Sequence, residues 1–260
     1  MPRRADDPQI LDDDVDDDVR MRLHVAEHGP ATGTRGAAVL LHGMMGSGAS
    51  WWRLVPLLVA RGYRVLALDL PGHGLSDRDP GLTVERAADA VVSTVTRLVD
   101  EPPSVAIGHS FGGLVLAAAA PALRPGLAVY VDAPSTTRGG RDRREVLALY
   151  EQDRARRTAA RLRSTRPHYT ARDCLVEGVA AERFDPATAA AVSSAPGGSW
   201  PPTAGSVVVR ADPSDYVSDE QAAALEHRGV RVRSIPGAAH SVWFSHPREL
   251  VASLPEVFGG

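Results

Sequence analysis

Two rhythms of apolar and polar positions run along this chain. Met21 to Ala26 alternates, as an exposed strand does. Ala37-Ala38-Val39-Leu40-Leu41 is instead an unbroken apolar run that ends at His42-Gly43. A run of that length suits a strand buried on both faces of a parallel sheet. Arg64 to Leu68, Ser104 to Ile107 and Leu127 to Val131 read the same way. Helical stretches separate them. One runs from Ser50, a candidate N-cap, to about Ala60. A second is capped by Thr83 and reaches Val99, with Pro102-Pro103 beyond it. A third contains Leu114 to Ala120. The alternation stops at residue 134, and residues 134–203 hold helical stretches without a clear buried strand. It resumes with Ser206 to Val209, a helix near Asp219 to His227, a strand Val230 to Ile235 and a last helix from Pro247 to Val257. Strand–helix alternation predicts an α/β fold, a mostly parallel sheet with helices on both faces. The interruption predicts a helical cap at 134–203, inserted into a core formed by 20–133 and 204–260.

Composition narrows the chemistry. All 29 basic residues are Arg, which excludes a Schiff-base lysine, a pyridoxal-phosphate anchor and a phosphate-loop lysine. The one cysteine, Cys174, excludes an internal disulfide and a multi-Cys zinc site. A formal charge of −3 gives no reason to expect nucleic-acid binding. Residues 6–18 carry eight Asp, so segment 1–19 reads as a solvated, disordered tail, with calcium or partner binding as the alternative. Met1 to Arg4 is basic, but acidic residues follow where a signal peptide would be apolar. The longest apolar run, Leu114 to Ala122, contains Pro121 and is too short to span a bilayer. The expectation is a soluble cytoplasmic protein that engages no membrane.

Gly108-His109-Ser110-Phe111-Gly112-Gly113 carries the sharpest chemical signal. It has the pattern G-x-S-x-G between a predicted strand and a predicted helix, the setting in which a serine is presented above a sheet edge. A serine hydroxyl is a weak nucleophile near neutral pH and needs a base. His240, on the small-residue loop Pro236-Gly237-Ala238-Ala239-His240-Ser241 after a strand, is the leading candidate. His109, His246, His24 and His28 sit in weaker contexts. An acid must orient that base. Asp215 follows the strand Ser206 to Arg210, with Asp212 as a near rival and Asp132, at the end of an earlier strand, as a third option. His42-Gly43-Met44-Met45-Gly46-Ser47-Gly48 offers an oxyanion pocket, with the N–H groups of Met44 and Phe111 as the expected donors.

The order of HG loop, Ser, Asp and His resembles the α/β-hydrolase superfamily over about residues 20–258. Asp69-Leu70-Pro71-Gly72-His73-Gly74-Leu75-Ser76 is similar to the loop after that family's next strand. The resemblance implies an eight-stranded, mostly parallel sheet, a helical cap, the triad Ser110, Asp215 and His240, and no metal or organic cofactor. The serine nucleophile argues against the dehalogenase and epoxide-hydrolase branches, which use Asp at that turn. It points to hydrolysis of a small-molecule ester, lactone or thioester. A lyase or cyclase using the same triad and a non-catalytic ligand-binding protein are the alternatives. Trp51, Trp52, Trp200 and Trp243, with His42, Met45 and His109, are candidate pocket residues that suit an apolar acyl or ring group. Residues 138–172 hold 11 Arg against four acids, a surface that could draw an anionic substrate or could simply be solvated.

Overall fold

A computed structural model describes residues 21–32 and 34–259 of the chain. The acidic tail therefore lies outside the described residues. Strand β1 (Val25–His28) is followed by β2 (Ala37–Leu41). A short 3-10 turn and helix α1 (Val55–Ala60) lead to β3 (Arg64–Leu68). Next come α2 (Val84–Leu98), β4 (Val105–His109), α3 (Phe111–Leu123) and β5 (Leu127–Val131). These strands, with two more from the C-terminal part, form one seven-stranded sheet in which only the edge strand β1 runs antiparallel.

Apolar residues fill this sheet with a period of two. Val39 and Leu41 join one core layer, while Ala38 and Leu40 join the layer on the opposite face. The first layer is closed by α2 and α3, through residues such as Val91, Val95, Leu114 and Val115. The second is closed by α1 and by the C-terminal helices, through Leu58, Trp243, Leu250 and Val257. A strand covered on both faces has no polar side to show, which is why these segments read as unbroken apolar runs. Thr83 caps α2 as expected, its Oγ1 accepting the Arg86 N–H at 3.2 Å. Ser50 is not the cap of α1. It sits inside the 3-10 turn, and its hydroxyl donates to Glu177 at 2.7 Å.

Between β5 and the next sheet strand the chain leaves the core. Strands β6 (Thr136–Gly139) and β7 (Pro196–Ser199) pair as a two-stranded antiparallel ribbon. Between them lie α4 (Arg143–Arg156), α5 (Ala159–Thr165), α6 (Ala171–Glu182) and α7 (Pro186–Ser194). Each of these helices starts at a side chain that accepts a backbone N–H: Asp142, Thr158, Thr170 and Asp185. On α6, Asp173 and Glu177 are one turn apart and bind the core loop below. Asp173 takes the Arg53 guanidinium at 2.6 Å and Trp52 Nε1–H at 3.1 Å. Glu177 takes the Ser50 hydroxyl. The ribbon was invisible in the sequence because TTRG and PGGS have no apolar alternation.

The sheet resumes with β8 (Val207–Asp212), α8 (Asp219–His227) and β9 (Arg231–Pro236). The order across it is β1-β3-β2-β4-β5-β8-β9. The seven strands read from the pattern are all present, with the first shifted to start at Val25. The eighth strand implied by the resemblance is not among the described residues. The chain ends in α9 (Val242–Ser245), α10 (Pro247–Ala252) and α11 (Pro255–Phe258) rather than one helix from 247 to 257. Pro255 disfavours helical backbone in the residue before it, and Leu254 lies at φ −123°, ψ 60°. Among the described residues no helix is long and apolar enough to cross a membrane.

This topology fixes where a site can form. The chain steps from β2 to β3 on one side, then crosses back over β2 to β4 on the other. Such a reversal leaves a crevice at the carboxyl ends of the two strands at the switch point. Here those ends carry His42-Gly43 and His109-Ser110.

Candidate active site

Ser110 sits between β4 and α3, at φ 50° and ψ −120°. That is a costly conformation for a residue with a side chain. Tight packing holds it. A Cβ on Gly108 would lie 2.5 Å from the Gly112 carbonyl oxygen, and one on Gly112 would lie 2.3 Å from that of Leu41. Neither position has room for a larger residue, which is the physical content of the two glycines in G-x-S-x-G. The start of α3 brings its unpaired N–H groups and the positive end of its dipole beside Ser110. Among the described residues, the N–H groups of Phe111 and Met44 have no backbone or side-chain acceptor.

His240 lies on the loop between β9 and α9. Its Nδ1 is 2.7 Å from Asp132 Oδ2. A carboxylate can only accept, so Nδ1 carries the hydrogen, and in the neutral ring Nε2 then keeps its lone pair. The ring is clamped between Tyr216, stacked at 4.3 Å between centroids, and His109 at 4.4 Å. His109 Nε2–H donates to the His240 carbonyl at 3.0 Å, which fixes the backbone as well.

The acid at this histidine is Asp132, not Asp215. Asp132 directly follows β5, at φ 43°, and its side chain is 1% exposed. Its Oδ1 accepts the Ala211 N–H at 3.1 Å and the Ser214 hydroxyl at 2.6 Å. The carboxylate is thus held by three donors. Asp215 is exposed, and Asp212 is turned toward Arg210, 3.8 Å away. The loop that carries Asp215 serves the site in another way. Ser214 anchors Asp132, and Tyr216 covers His240. The sequence did hold a sign of this. Asp132 follows the strand paired directly with β4, as Ser110 follows β4 itself.

Ser110 and His240 line one cavity of about 180 Å³. Gly43, Met44, His109 and Trp243 contribute from the core, and Arg157, Arg166, His168, Tyr169 and Glu177 from the cap. The other expected pocket residues lie elsewhere. Trp51 is buried under Trp243, with ring centroids 4.6 Å apart. Trp52 is bound to Asp173 at the seam between cap and core, and Trp200 packs beside the β6–β7 ribbon, its backbone N–H on the Ser135 carbonyl. Met45 packs against Phe184 and Ala189 of the cap.

His42 and the unanticipated His73 hold the loop 42–48 in place. His42 Nδ1–H donates to the Gly43 carbonyl at 2.8 Å, and its Nε2 accepts the Leu70 N–H at 2.9 Å. His73 Nδ1–H donates to the Pro71 carbonyl at 2.9 Å, and its Nε2 accepts the Met45 N–H at 3.2 Å. Both rings must be neutral to accept these bonds. Burial pushes His42 below its ordinary range, and burial with the neighbouring His42 takes His73 down to about 3. Burial, and then the nearby His240, holds His109 well below the usual range too.

These three imidazoles predict acid lability. The unfolded chain protonates them as pH falls through about 6.5. The folded chain does not, so their contribution is fully present above that pH and is lost as pH falls below it. The slope is at most about 1.4 kcal/mol per pH unit for each histidine. The urea midpoint should fall clearly between pH 7.5 and 5.5, before most carboxylates titrate. A flat midpoint over that interval would contradict the reading.

Residues 38–254 match the alpha/beta hydrolase family, and the chain belongs to it. The curated relatives cover only part of it. Methylesterase 8 of Arabidopsis thaliana is 39% identical over 83 residues, 31% of this chain and 30% of that protein. The AB hydrolase superfamily protein YfhM of Bacillus subtilis is 36% identical over 96 residues, 36% of this chain and 32% of that protein. The chain thus matches about a third of each relative's length. An esterase from Exiguobacterium antarcticum shares the fold at a TM-score of 0.73 and 15% identity, over 92% of this chain and 96% of that one.

Proposed function

We propose that this protein is a serine hydrolase that cleaves a small carboxylic ester, lactone or thioester through an acyl-enzyme on Ser110. The observation that carries the proposal is the Asp132–His240 pair at 2.7 Å, opening on the cavity where Ser110 stands on its strained turn. Ser110 Oγ attacks the carbonyl carbon while His240 Nε2 takes its proton. Asp132 stabilises the imidazolium and holds its orientation. The N–H groups of Met44 and Phe111 receive the oxyanion. Collapse expels the alcohol or thiol, protonated by His240. Water, deprotonated by His240, then attacks the acyl carbon and releases the acid. The names of the relatives, a methylesterase and an esterase, agree with this class of chemistry.

The test is turnover of short-chain p-nitrophenyl esters and thioesters in heavy-oxygen water. Hydrolysis places one heavy oxygen in the acid product. A product that forms without label would point to lyase or cyclase chemistry, and binding without product would point to a ligand-binding protein.

A further inference from the structure

The cavity beside Ser110 is small and, on its cap side, cationic. We propose that the substrate carries a free carboxylate in addition to the scissile carbonyl, and that Arg157 and Arg166 hold it. This rests on the Ser110 reading and names the substrate class for that site.

Arg157 lies between α4 and α5 and lines the cavity. Its terminal nitrogen is paired with Glu177. Its Nε–H is shielded from solvent and has no acceptor among the described residues. Buried guanidinium hydrogens are rarely left without a partner, and a shift of the Arg157 side chain toward the cavity would offer this one to a ligand carboxylate. Burial alone would lower the basicity of Arg157, but Glu177 and Tyr169 more than offset this and keep the group charged.

Arg166 lines the same cavity from the connection between α5 and α6, and among the described residues it has no carboxylate within ion-pair distance. Among the described residues, the only acidic side chain lining the cavity is Glu177, already engaged by Arg157 and by the Ser50 hydroxyl. The lining therefore carries one unbalanced positive charge. One such charge with a planar donor set fits a monoanionic carboxylate better than a doubly charged phosphate. At about 180 Å³ the space is below that of a typical drug-sized pocket. The fitting ligand is a short-chain hemiester, or a lactone bearing a carboxylate.

Two measurements test this. The first compares kcat/KM for a p-nitrophenyl hemiester of a short dicarboxylic acid with that for the matched ester ending in a carboxamide. The native protein should favour the hemiester by 10-fold or more. Arg166→Gln should cut that ratio about tenfold, and a double substitution, Arg157→Met with Glu177→Met, should abolish it without leaving Glu177 buried alone. A native ratio of one or less overturns the proposal. The second is calorimetric binding of succinamate, which carries one carboxylate, and of the neutral succinamide to the native protein and to Arg166→Gln. Preferred binding of succinamate, weakened in Arg166→Gln, supports the carboxylate site even if no ester is turned over, and then only the nucleophile reading fails. Turnover of neutral esters with no preference for succinamate overturns the carboxylate site alone.

Discussion

Ser110→Ala lowers kcat by about 10⁴- to 10⁶-fold on any ester the native protein turns over, while the protein stays folded. The size follows from the role. Without the γ-oxygen no acyl-enzyme can form, and what remains is the oxyanion pocket acting on a bound ester and water. The fold should tolerate the change. Alanine meets the same backbone cost at φ 50°, and Ser110 Oγ makes no hydrogen bond to another described residue. Substrate affinity should change little, because the lost interaction is made with the transition state. Residual turnover above a tenth of native, with an unchanged urea midpoint, would remove Ser110 from the chemistry.

Asp132→Asn lowers kcat by about 10⁴-fold, and Asp215→Asn changes it less than twofold. The hydrogen-bond inventory around Asp132 explains the first number. Its Oδ1 accepts from Ala211 N–H and from the Ser214 hydroxyl, both donors. An asparagine there would keep its carbonyl oxygen toward those two and turn its NH₂ toward His240. The imidazole would then have to accept at Nδ1 and carry its hydrogen on Nε2. A ring in that tautomer cannot take the Ser110 proton. Asp215 is exposed and has no such neighbours. Steady-state kinetics on one ester with both variants checks the pair. The opposite ranking would return the acid to the loop after β8.

The contrast between these two aspartates shows how far the sequence could be read. The strands were legible because burial on both faces of a sheet leaves an unbroken apolar run, and the turn at Ser110 was legible because it admits only glycine two positions to either side. The carboxylate that meets His240 was not. Asp132 and Asp215 both follow strands at the same sheet edge, and only the three-dimensional path of the loop 212–218 decides which of them meets His240. Pattern favoured Asp215, whereas packing put Ser214 and Tyr216 of that loop to work around Asp132 and His240. The pocket walls were harder still. Trp51 and Trp52 are adjacent in sequence, yet one is stacked in the core and the other is fixed to Asp173. Arg157 and Arg166 looked like two more members of an Arg-rich surface, and only the folding of α5 and α6 over Ser50 makes them cavity residues.

Hydrolysis by the proposed route needs an activated nucleophile at Ser110 in a pocket open to small molecules. Intact-protein mass spectrometry after exposure to a small fluorophosphonate reads out both requirements at once. One adduct is expected on the native chain, none on Ser110→Ala, and much slower labelling of Asp132→Asn than of Asp215→Asn. An adduct of equal yield on Ser110→Ala, or none on a folded native chain, would contradict that route.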